Sequence, residues 1–498
     1  MRALASLVVV AGFASTAVAE LPHRIPREQG RLVVAPVAPD LQPPPASHAN
    51  VSKIIYLERC KGGCVMHKGT DDSRGYTSSI PSSTPTAPGP DFAISEFENE
   101  AGDIGAAADA DWAKILKCVQ EVYSPFDVQV TDVKPTAPTY HMNIVAGLSR
   151  QVGLSNGILG ISPGVGCTPV DNRITYTFAN MVGGGGDARI WEICAIVSQE
   201  TAHTWGLDHS YSFGTRSACI DPMTYRGDCG GQKFFRNDQA TCGEYSAMPC
   251  TCGATQNAHL ALLNVFGPGT PTTTPPTLEV KQPAAGTTTV TNGFTVIATA
   301  GAQRGIKSVE LWLNGYKWAS AQGAQWGRDG QPTTDYGVPF PADVPDGVID
   351  IVVKAKDDID VTTTSPTITV TKGAPCASAD SCLTGQKCEA GKCFWDPAVG
   401  ELGDDCTYPQ YCLSGLCTGT AERTICTREC VAGVSDSCEE GFDCIANGPT
   451  KGVCFPKSPP EDGICNSSVT TNSSAPITAV AFSMLGLVFV IRRRRPRR

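Results

Sequence analysis

Long apolar runs and positive charge are both scarce in this 498-residue sequence. An ordinary apolar fraction with 18% charged residues excludes a polytopic membrane protein and a disordered chain. The net charge is −10, and six arginines among the last seven residues leave −16 for the remainder (−10 minus 6). No basic patch interrupts that acidic body, so nucleic acid is not an expected partner. The length allows about two to four domains.

No cysteine lies before Cys60 or between Cys252 and Cys376, and the second of these gaps divides the chain. Ten cysteines lie from Cys60 to Cys252, twelve lie from Cys376 to Cys454, and one stands alone at Cys465. Two even sets separated by a cysteine-free stretch predict two separately disulfide-bonded regions. The Pro-rich residues 20–50 also lack cysteine, so this linker or pro-segment cannot provide a cysteine-switch form of latency.

The N-terminus has the features of a secretory signal peptide. Arg2 precedes an apolar run over residues 7–14, and the small residues at 17–19 form a cleavage site, so we expect residues 1–19 to be removed. Export places the protein in an oxidising compartment, where its cysteines should form disulfides. The expected location is therefore the cell surface or the outside of the cell.

The other end of the chain has an apolar segment followed by arginines. A linker at 457–476 precedes a tail at 477–498, in which residues 477–491 are apolar and six of the last seven residues are arginine. The apolar run is shorter than the ~20 residues that span a bilayer, although arginine side chains can extend it. Cys465, the apolar segment and the arginine cluster together resemble a myxobacterial C-terminal sorting tail, which implies processing at the cell surface. The alternative is a permanent transmembrane helix with its arginines in the cytoplasm.

Residues 51–268 are predicted to form the first folded domain, of α+β or α/β class. Short β-rich or alternating runs predict strands at residues 53–57, 127–133, 141–145 and 173–178. Apolar residues at helical spacing predict a helix over 109–122, and a second, longer helix is expected over 188–205, ending at Gly206. The strand at 173–178 is a candidate edge strand for an extended substrate.

The rest of the chain divides by composition. A Pro/Thr linker at 269–277 precedes residues 278–373, where short alternating runs separated by turns predict a β-sandwich. That pattern resembles the immunoglobulin-like modules that follow many exported bacterial enzymes. Residues 374–456 are dense in cysteine and lack long apolar runs, so this module must depend on disulfides. The predicted protein is therefore multidomain.

The chemically informative stretch runs from Gln199 to His209. On a helix, Gln199 and His203 are four residues apart and share one face, with Glu200 beside them. Gly206 permits a left-handed turn because it has no Cβ, and the turn can return His209 to the same point. Hydrolysis by zinc requires such an arrangement, with three protein ligands, an open position for water and an adjacent base.

These residues resemble the metzincin signature, H-E-x-x-H-x-x-G-x-x-H followed by a methionine turn. The match holds at Glu200, His203, Gly206 and His209. Residues 221–225 (Asp-Pro-Met-Thr-Tyr) resemble the methionine turn, and the tyrosine has the spacing found in astacins and serralysins. The resemblance covers residues 51–268.

The resemblance implies a monomeric zinc metalloendopeptidase that acts on a protein or peptide substrate. It implies zinc ligands at Gln199, His203 and His209, a general base at Glu200, and a tyrosine near the metal at Tyr225. Met223 is expected to pack beneath the metal. Asp208 is a candidate hydrogen-bond partner for the adjacent His209.

Gln199 stands where the signature has its first histidine, and the alternatives lead to different functions. Its carbonyl oxygen could be a weaker zinc ligand than imidazole, with Tyr225 or water completing the coordination. The site could instead be degenerate, in a surface adhesin or binding protein built on a peptidase scaffold. The retained Glu200 favours the enzyme, because a structural zinc site needs no general base. A remote histidine could also supply the ligand; His67 is the best of the candidates His23, His48, His67, His141 and His259.

Overall fold

The computed structural model describes residues 51–457, apart from 165, 214–215, 218, 227–229, 324–333, 420–422, 432–437 and 447–450. The predicted signal peptide, residues 20–50 and the C-terminal tail lie outside the described residues. Within them, no helix is long and apolar enough to cross a membrane. One compact unit ends at Pro397 and a second begins at Ala398. The described chain is multidomain and rich in β-structure, with few helices and a disulfide-rich C-terminal region.

Residues 51–268 contain a mixed sheet with long helices packed on it. The strands are β1 (Ile54–Glu58), β2 (Cys64–Lys68), β3 (Thr77–Ser78), β4 (Asp91–Ile94), β5 (Gln129–Thr131), β6 (His141–Val145), β7 (Gly160–Ile161), β8 (Ile174–Thr177), β9 (Ser210–Phe213), β10 (Arg216–Ser217) and β11 (Thr241–Cys242). The helices are α1 (Asp109–Tyr123), α2 (Gly186–His203) and α3 (Ala258–Phe266). Both predicted helices are therefore confirmed to within about two residues at each end, which is the usual spread of helix assignments.

The main sheet has the order β5-β1-β6-β8-β7. Its first four strands are parallel, and β7 runs antiparallel to β8. All five residues of β6 are buried, as expected for a central strand. The helical spacing of α1 places Trp112, Ile115 and Val119 in the core. This core fixes α2, the helix that carries the candidate site.

The prediction of an edge strand at 173–178 is wrong. The strand forms as β8, but both of its edges are paired, with β6 on one side and β7 on the other. The edge belongs to β7, which is only two residues long. A β-rich run in a sequence predicts that a strand forms but does not identify its neighbours, and a two-residue strand produces no periodic signal.

A β-sandwich follows the first domain. Its strands are β12 (Thr277–Gln282), β13 (Thr289–Val290), β14 (Thr295–Gly301), β15 (Ser308–Leu313), β16 (Tyr316–Gln322), β17 (Thr334–Pro339), β18 (Gly347–Lys356), β19 (Thr362–Thr364) and β20 (Ile368–Lys372). One sheet has the order β12-β14-β17, and the other contains β13-β20-β18-β15-β16. Val296, Leu311 and Ile351 from both sheets share one core. Burial alternates along all ten residues of β18, which explains the period-two pattern in the sequence.

The cysteine-rich region repeats one disulfide pattern three times. In each set of four cysteines the first pairs with the third and the second with the fourth: Cys376–Cys388, Cys382–Cys393, Cys406–Cys417, Cys412–Cys426, Cys430–Cys444 and Cys438–Cys454. Short hairpins carry them, with strands β21 (Lys387–Glu389), β22 (Lys392–Phe394), β23 (Cys417–Gly419), β24 (Thr424–Cys426), β25 (Glu429–Val431), β26 (Phe442–Ala446) and β27 (Lys451–Pro456). The prediction that this region depends on disulfides is confirmed.

Candidate functional site

Three anchors hold the last turns of α2 against the core. The hydroxyl of Tyr123 on α1 donates to the carbonyl of Ser198 at 3.0 Å. The Asn143 amide on β6 lies 3.3 Å from the Thr201 hydroxyl. A disulfide between Cys118 and Cys194 joins the two long helices. The backbone that presents the signature residues is therefore fixed from the sheet and from the neighbouring helix.

A glycine turn returns the chain to the site after α2 ends. Gly206 has φ +89°, in the left-handed region. A Cβ at this position would lie 2.8 Å from the carbonyl oxygen of Gly166, so a larger residue meets both strain and a backbone contact. The turn brings His209 back over the helix, and the sequence-based prediction for Gly206 agrees with this geometry.

The three predicted ligand side chains lie together. His203 Nε2 is 3.1 Å from His209 Nε2, and Gln199 Nε2 is 3.2 Å from the same atom. All three residues are buried, with exposures of 7% or less. Because the oxygen and nitrogen of an amide exchange positions by a flip of the side chain, the Gln199 carbonyl oxygen can occupy this point.

His203 is held in the form that binds a metal. Its Nδ1 lies 2.6 Å from the carbonyl oxygen of Leu207, which accepts a hydrogen bond from the Nδ1–H tautomer. That tautomer leaves the Nε2 lone pair facing Gln199 and His209. Burial, followed by the neighbouring His209, holds the pKa of His203 well below its usual range. The imidazole is therefore neutral, as a metal ligand must be.

Glu200 is a buried carboxyl beside this cluster. It is 5% exposed, and its Oε2 has no hydrogen-bond partner among the described residues. Burial raises its pKa to about 8. Strand β7 covers it closely, because a Cβ on Gly160 would lie 2.7 Å from both Cγ and Oε1 of Glu200. A buried carboxyl with an unpaired oxygen costs free energy, which is common for groups retained for chemistry.

Tyr225 lies on the other side of His209. The centroids of the two rings are 4.1 Å apart, and the Tyr225 hydroxyl is 3.5 Å from Glu244 Oε1. The same Glu244 oxygen is 3.5 Å from His209 Nδ1. Burial, with the negative charges of Glu244 and Glu200, raises the pKa of Tyr225. The hydroxyl therefore keeps its proton and can donate a hydrogen bond.

The methionine turn is tied to the strand that follows His209. Met223 is fully buried in the core, and its carbonyl oxygen accepts a 2.6 Å hydrogen bond from the Ser210 amide. The Met223 amide donates to Asp221 Oδ1 at 2.8 Å. Burial raises the pKa of Asp221 to about 6. The expectation that Met223 is a packed residue near the site agrees with these contacts.

Asp208 does not act on His209 as the sequence suggested. Its carboxylate accepts a hydrogen bond from the Thr251 amide, and its own amide donates to Gln256. The carboxylate that faces His209 Nδ1 belongs to Glu244, thirty-five positions further along the chain. Adjacent residues point in different directions on a turn, and only the tertiary fold brings residue 244 to the site. No signal in the sequence marked it.

The remote histidines that the structure describes have other partners. His67 is paired with Asp91 at 2.7 Å and is about half exposed. His141 is buried and accepts a hydrogen bond from the Trp205 indole at 3.1 Å. His259 is buried on α3, against the ring of Phe126. His23 and His48 lie outside the described residues.

The side chains of Gln199, His203 and His209 fit a zinc ion in spacing and in donor type. Ligand atoms about 2.0–2.1 Å from tetrahedral zinc lie about 3.3 Å from one another, close to the separations between these side chains. Two neutral imidazoles with one amide oxygen leave a position for water. Groups of cysteines elsewhere have the proximity of ligands, but their members are joined in disulfides and offer no thiolate. Among the described residues, the cluster at 199–209 therefore suits a zinc ion better than these cysteine groups do.

No protein-family model and no curated protein sequence matches this chain. The fibronectin(III)-like modules of Clostridium thermocellum CbhA are 23% identical over 20% of this chain and 46% of theirs, with a TM-score of 0.15. A mutant SrpA adhesin from Streptococcus sanguinis is 17% identical over 20% of this chain and 58% of its own, with a TM-score of 0.15. The chain therefore covers less than two thirds of either structure, and similarity at this level does not bear on the site.

Proposed function

We propose that this protein is an exported zinc metalloendopeptidase of the metzincin type. The observation that supports it most is the convergence of Gln199, His203 and His209 beside the buried Glu200. The two motifs that resemble the metzincin signature add to it. The signal-peptide pattern and the C-terminal sorting tail support a location at the cell surface, with processing or anchoring through the tail.

The chemistry assigned to each side chain follows from its surroundings. Gln199, His203 and His209 would hold the zinc ion, which supplies Lewis acidity to the substrate carbonyl and lowers the pKa of water. Glu200 accepts the proton of the attacking water and passes it to the leaving amine. The neutral Tyr225 hydroxyl donates a hydrogen bond to the oxygen on which negative charge develops.

The surface near Glu200 suits an extended peptide. Strand β7 is an edge of the main sheet, so its free backbone groups can pair with a substrate strand. A cleft of about 400 Å³ opens beside His209, and Glu244, Tyr245 and Met248 contribute to its wall. Pairing along β7 would carry the peptide past Glu200, and the cleft would receive a side chain next to the cleaved bond.

The decisive measurement is metal content together with proteolysis. Full-length protein purified with zinc present should hold about one zinc ion per chain, since one three-ligand site is proposed. It should digest a general protein substrate such as casein, stop when a chelator is added, and recover when zinc is restored. His203→Ala is the matched control and should lose both metal and activity.

The non-catalytic alternative predicts a different outcome. Gln199 in place of a histidine is the feature that favours a degenerate, adhesin-like protein. If the protein holds no zinc under saturating supply and digests nothing, the peptidase proposal is wrong. If it holds zinc but digests nothing, the site is structural and the retained Glu200 lacks the role assigned to it.

Gln199→His should strengthen zinc binding by about tenfold or more, because imidazole is a better donor than an amide and each tenfold corresponds to about 1.4 kcal/mol. Competition against a chromophoric chelator would measure it. Gln199→Ala is the matched variant and should weaken binding. Equal affinity of all three proteins would show that residue 199 does not coordinate the metal.

Gly160→Ala should slow peptide hydrolysis by about ten- to a hundredfold at unchanged zinc content, because small displacements of catalytic groups have effects of this size. The added Cβ would meet Ile196 at 2.6 Å and Glu200 at 2.7 Å, so the carboxyl must move. Gly183→Ala, in a loop with nothing within 4 Å, is the control and should leave kcat unchanged. Wild-type kcat in Gly160→Ala would contradict the close packing of β7 on the general base.

A further inference from the structure

A buried ion pair stands at the end of the β-sandwich that faces the first domain. Arg304, between β14 and β15, donates through Nε and Nη2 to both oxygens of Asp358, at 2.7 and 2.9 Å. Each side chain is only 1% exposed. Such a bidentate pair allows one relative arrangement of its two partners, which makes it suited to fixing geometry.

The ion pair also contacts the first domain, in the segment that follows the methionine turn. Arg304 Nη2 donates to the carbonyl of Phe235 at 2.8 Å, and its guanidinium lies 4.8 Å from the Phe234 ring centroid. Arg236 donates to the Arg304 carbonyl and lies 3.7 Å from Asp358 Oδ1. Two buried guanidinium groups from different domains therefore share one carboxylate.

The same segment holds the methionine turn from behind. The Arg236 amide donates to Asp221 Oδ2 at 2.9 Å, and the other oxygen of Asp221 accepts the Met223 amide. The Met223 carbonyl accepts from Ser210, the residue after His209. Ion pairs and hydrogen bonds, connected through the backbone of Arg236 and Met223, thus lead from Asp358 in the sandwich to the chain that carries His209.

We propose that the β-sandwich positions the candidate site, with Asp358 and Arg304 as positioning residues for the methionine turn. The turn and the segment to Arg236 contain little regular structure in their described parts, so their shape depends on the groups packed against them. The sandwich supplies two of those groups, already oriented by their own ion pair. It is therefore a support for the first domain and more than a spacer.

Asp358→Asn in the full-length protein tests this directly. The loss of charge leaves Arg304 and Arg236 without their shared partner, so the amide hydrogens of Met223 and Ser210 should exchange about tenfold faster or more. Because removing the charge from a buried ion pair also lowers stability, Asp358→Glu is the second variant: it keeps the charge but displaces both guanidinium groups. Asp360→Asn, at an exposed aspartate two residues away, is the matched control and should leave exchange unchanged.

Cobalt(II) binding, followed by the visible absorption of the bound ion, provides the second readout and rests on the proposed function. Asp358→Asn or Asp358→Glu should weaken cobalt binding about tenfold and alter the absorption bands. An effect of this size is typical of residues that support metal ligands. Exchange at Met223 and Ser210 that is unchanged in a folded Asp358 variant would overturn the positioning proposal. Wild-type protein that binds no cobalt would instead overturn the proposed function, and the positioning proposal would still be tested, since exchange is measured on metal-free protein.

Discussion

Glu200→Gln should lower peptide hydrolysis by about a thousandfold while zinc content and folding remain as in the wild type, because general-base catalysis contributes factors of this order. Glutamine has the shape of glutamate but cannot accept the proton of the attacking water. Its amide also tolerates the buried position, where the carboxyl already lacks a partner for Oε2. Single-turnover cleavage of a peptide, with zinc measured on the same sample, gives the result.

Glu244→Gln is the matched control for this substitution. Glu244 contacts His209 Nδ1 and Tyr225 at 3.5 Å but is not the carboxyl packed under β7. Loss of its charge should weaken zinc binding and leave most of the rate at saturating zinc, because it acts through His209. A Glu200→Gln protein that digests peptides as fast as the wild type would remove Glu200 from the mechanism.

The Cys118–Cys194 disulfide should contribute about 4.5 kcal/mol to the free energy of unfolding, from the chain entropy that a cross-link of this span removes. The bond closes a loop of 76 positions and joins α1 to the helix that carries the site. Replacing both cysteines with alanine should lower the urea midpoint and steepen the unfolding slope, because an unfolded chain without the cross-link exposes more surface. The sequence predicted that the cysteines form disulfides, which is confirmed, and the structure identifies this pair.

Cys242 and Cys250 offer a matched comparison, because their disulfide closes a loop of only 8 positions. Replacing this pair with alanine should cost about 2.5 kcal/mol under the same entropic relation. Equal losses for the two pairs would show that packing around the sulfur atoms, rather than loop closure, sets the stability. The loop closed by Cys242 and Cys250 also forms part of the wall of the cleft beside His209. Removing this disulfide should therefore weaken substrate binding as well as lower the free energy of unfolding.

Local signals predicted the parts of the molecule that depend on neighbours in sequence. The helical period of residues 109–122 and the short alternating runs within residues 278–373 both predicted their elements, because each pattern comes from one face turned to a core. The site could be assembled for the same reason: Gln199, Glu200 and His203 lie on one helix, and Gly206 begins the turn to His209. The sequence did not reveal the order in which the strands pair. For that reason the edge strand was predicted at β8, whereas the structure has β7 at the edge.

The amino-acid sequence by itself determined which side chains are available for chemistry, how they are spaced on α2, and that the cysteines would pair within their own regions. Hydrophobic periodicity and turn residues reflect interactions between near neighbours in the chain, and cysteines can simply be counted. All three are therefore available from the sequence. The tertiary structure alone decided that Glu244 faces His209, that Gly160 packs against Glu200, and that Asp358 reaches the segment behind Met223. Those contacts join residues that are 35 to 122 positions apart (244 minus 209, 358 minus 236), and they exist only because the packed core closes the intervening chain.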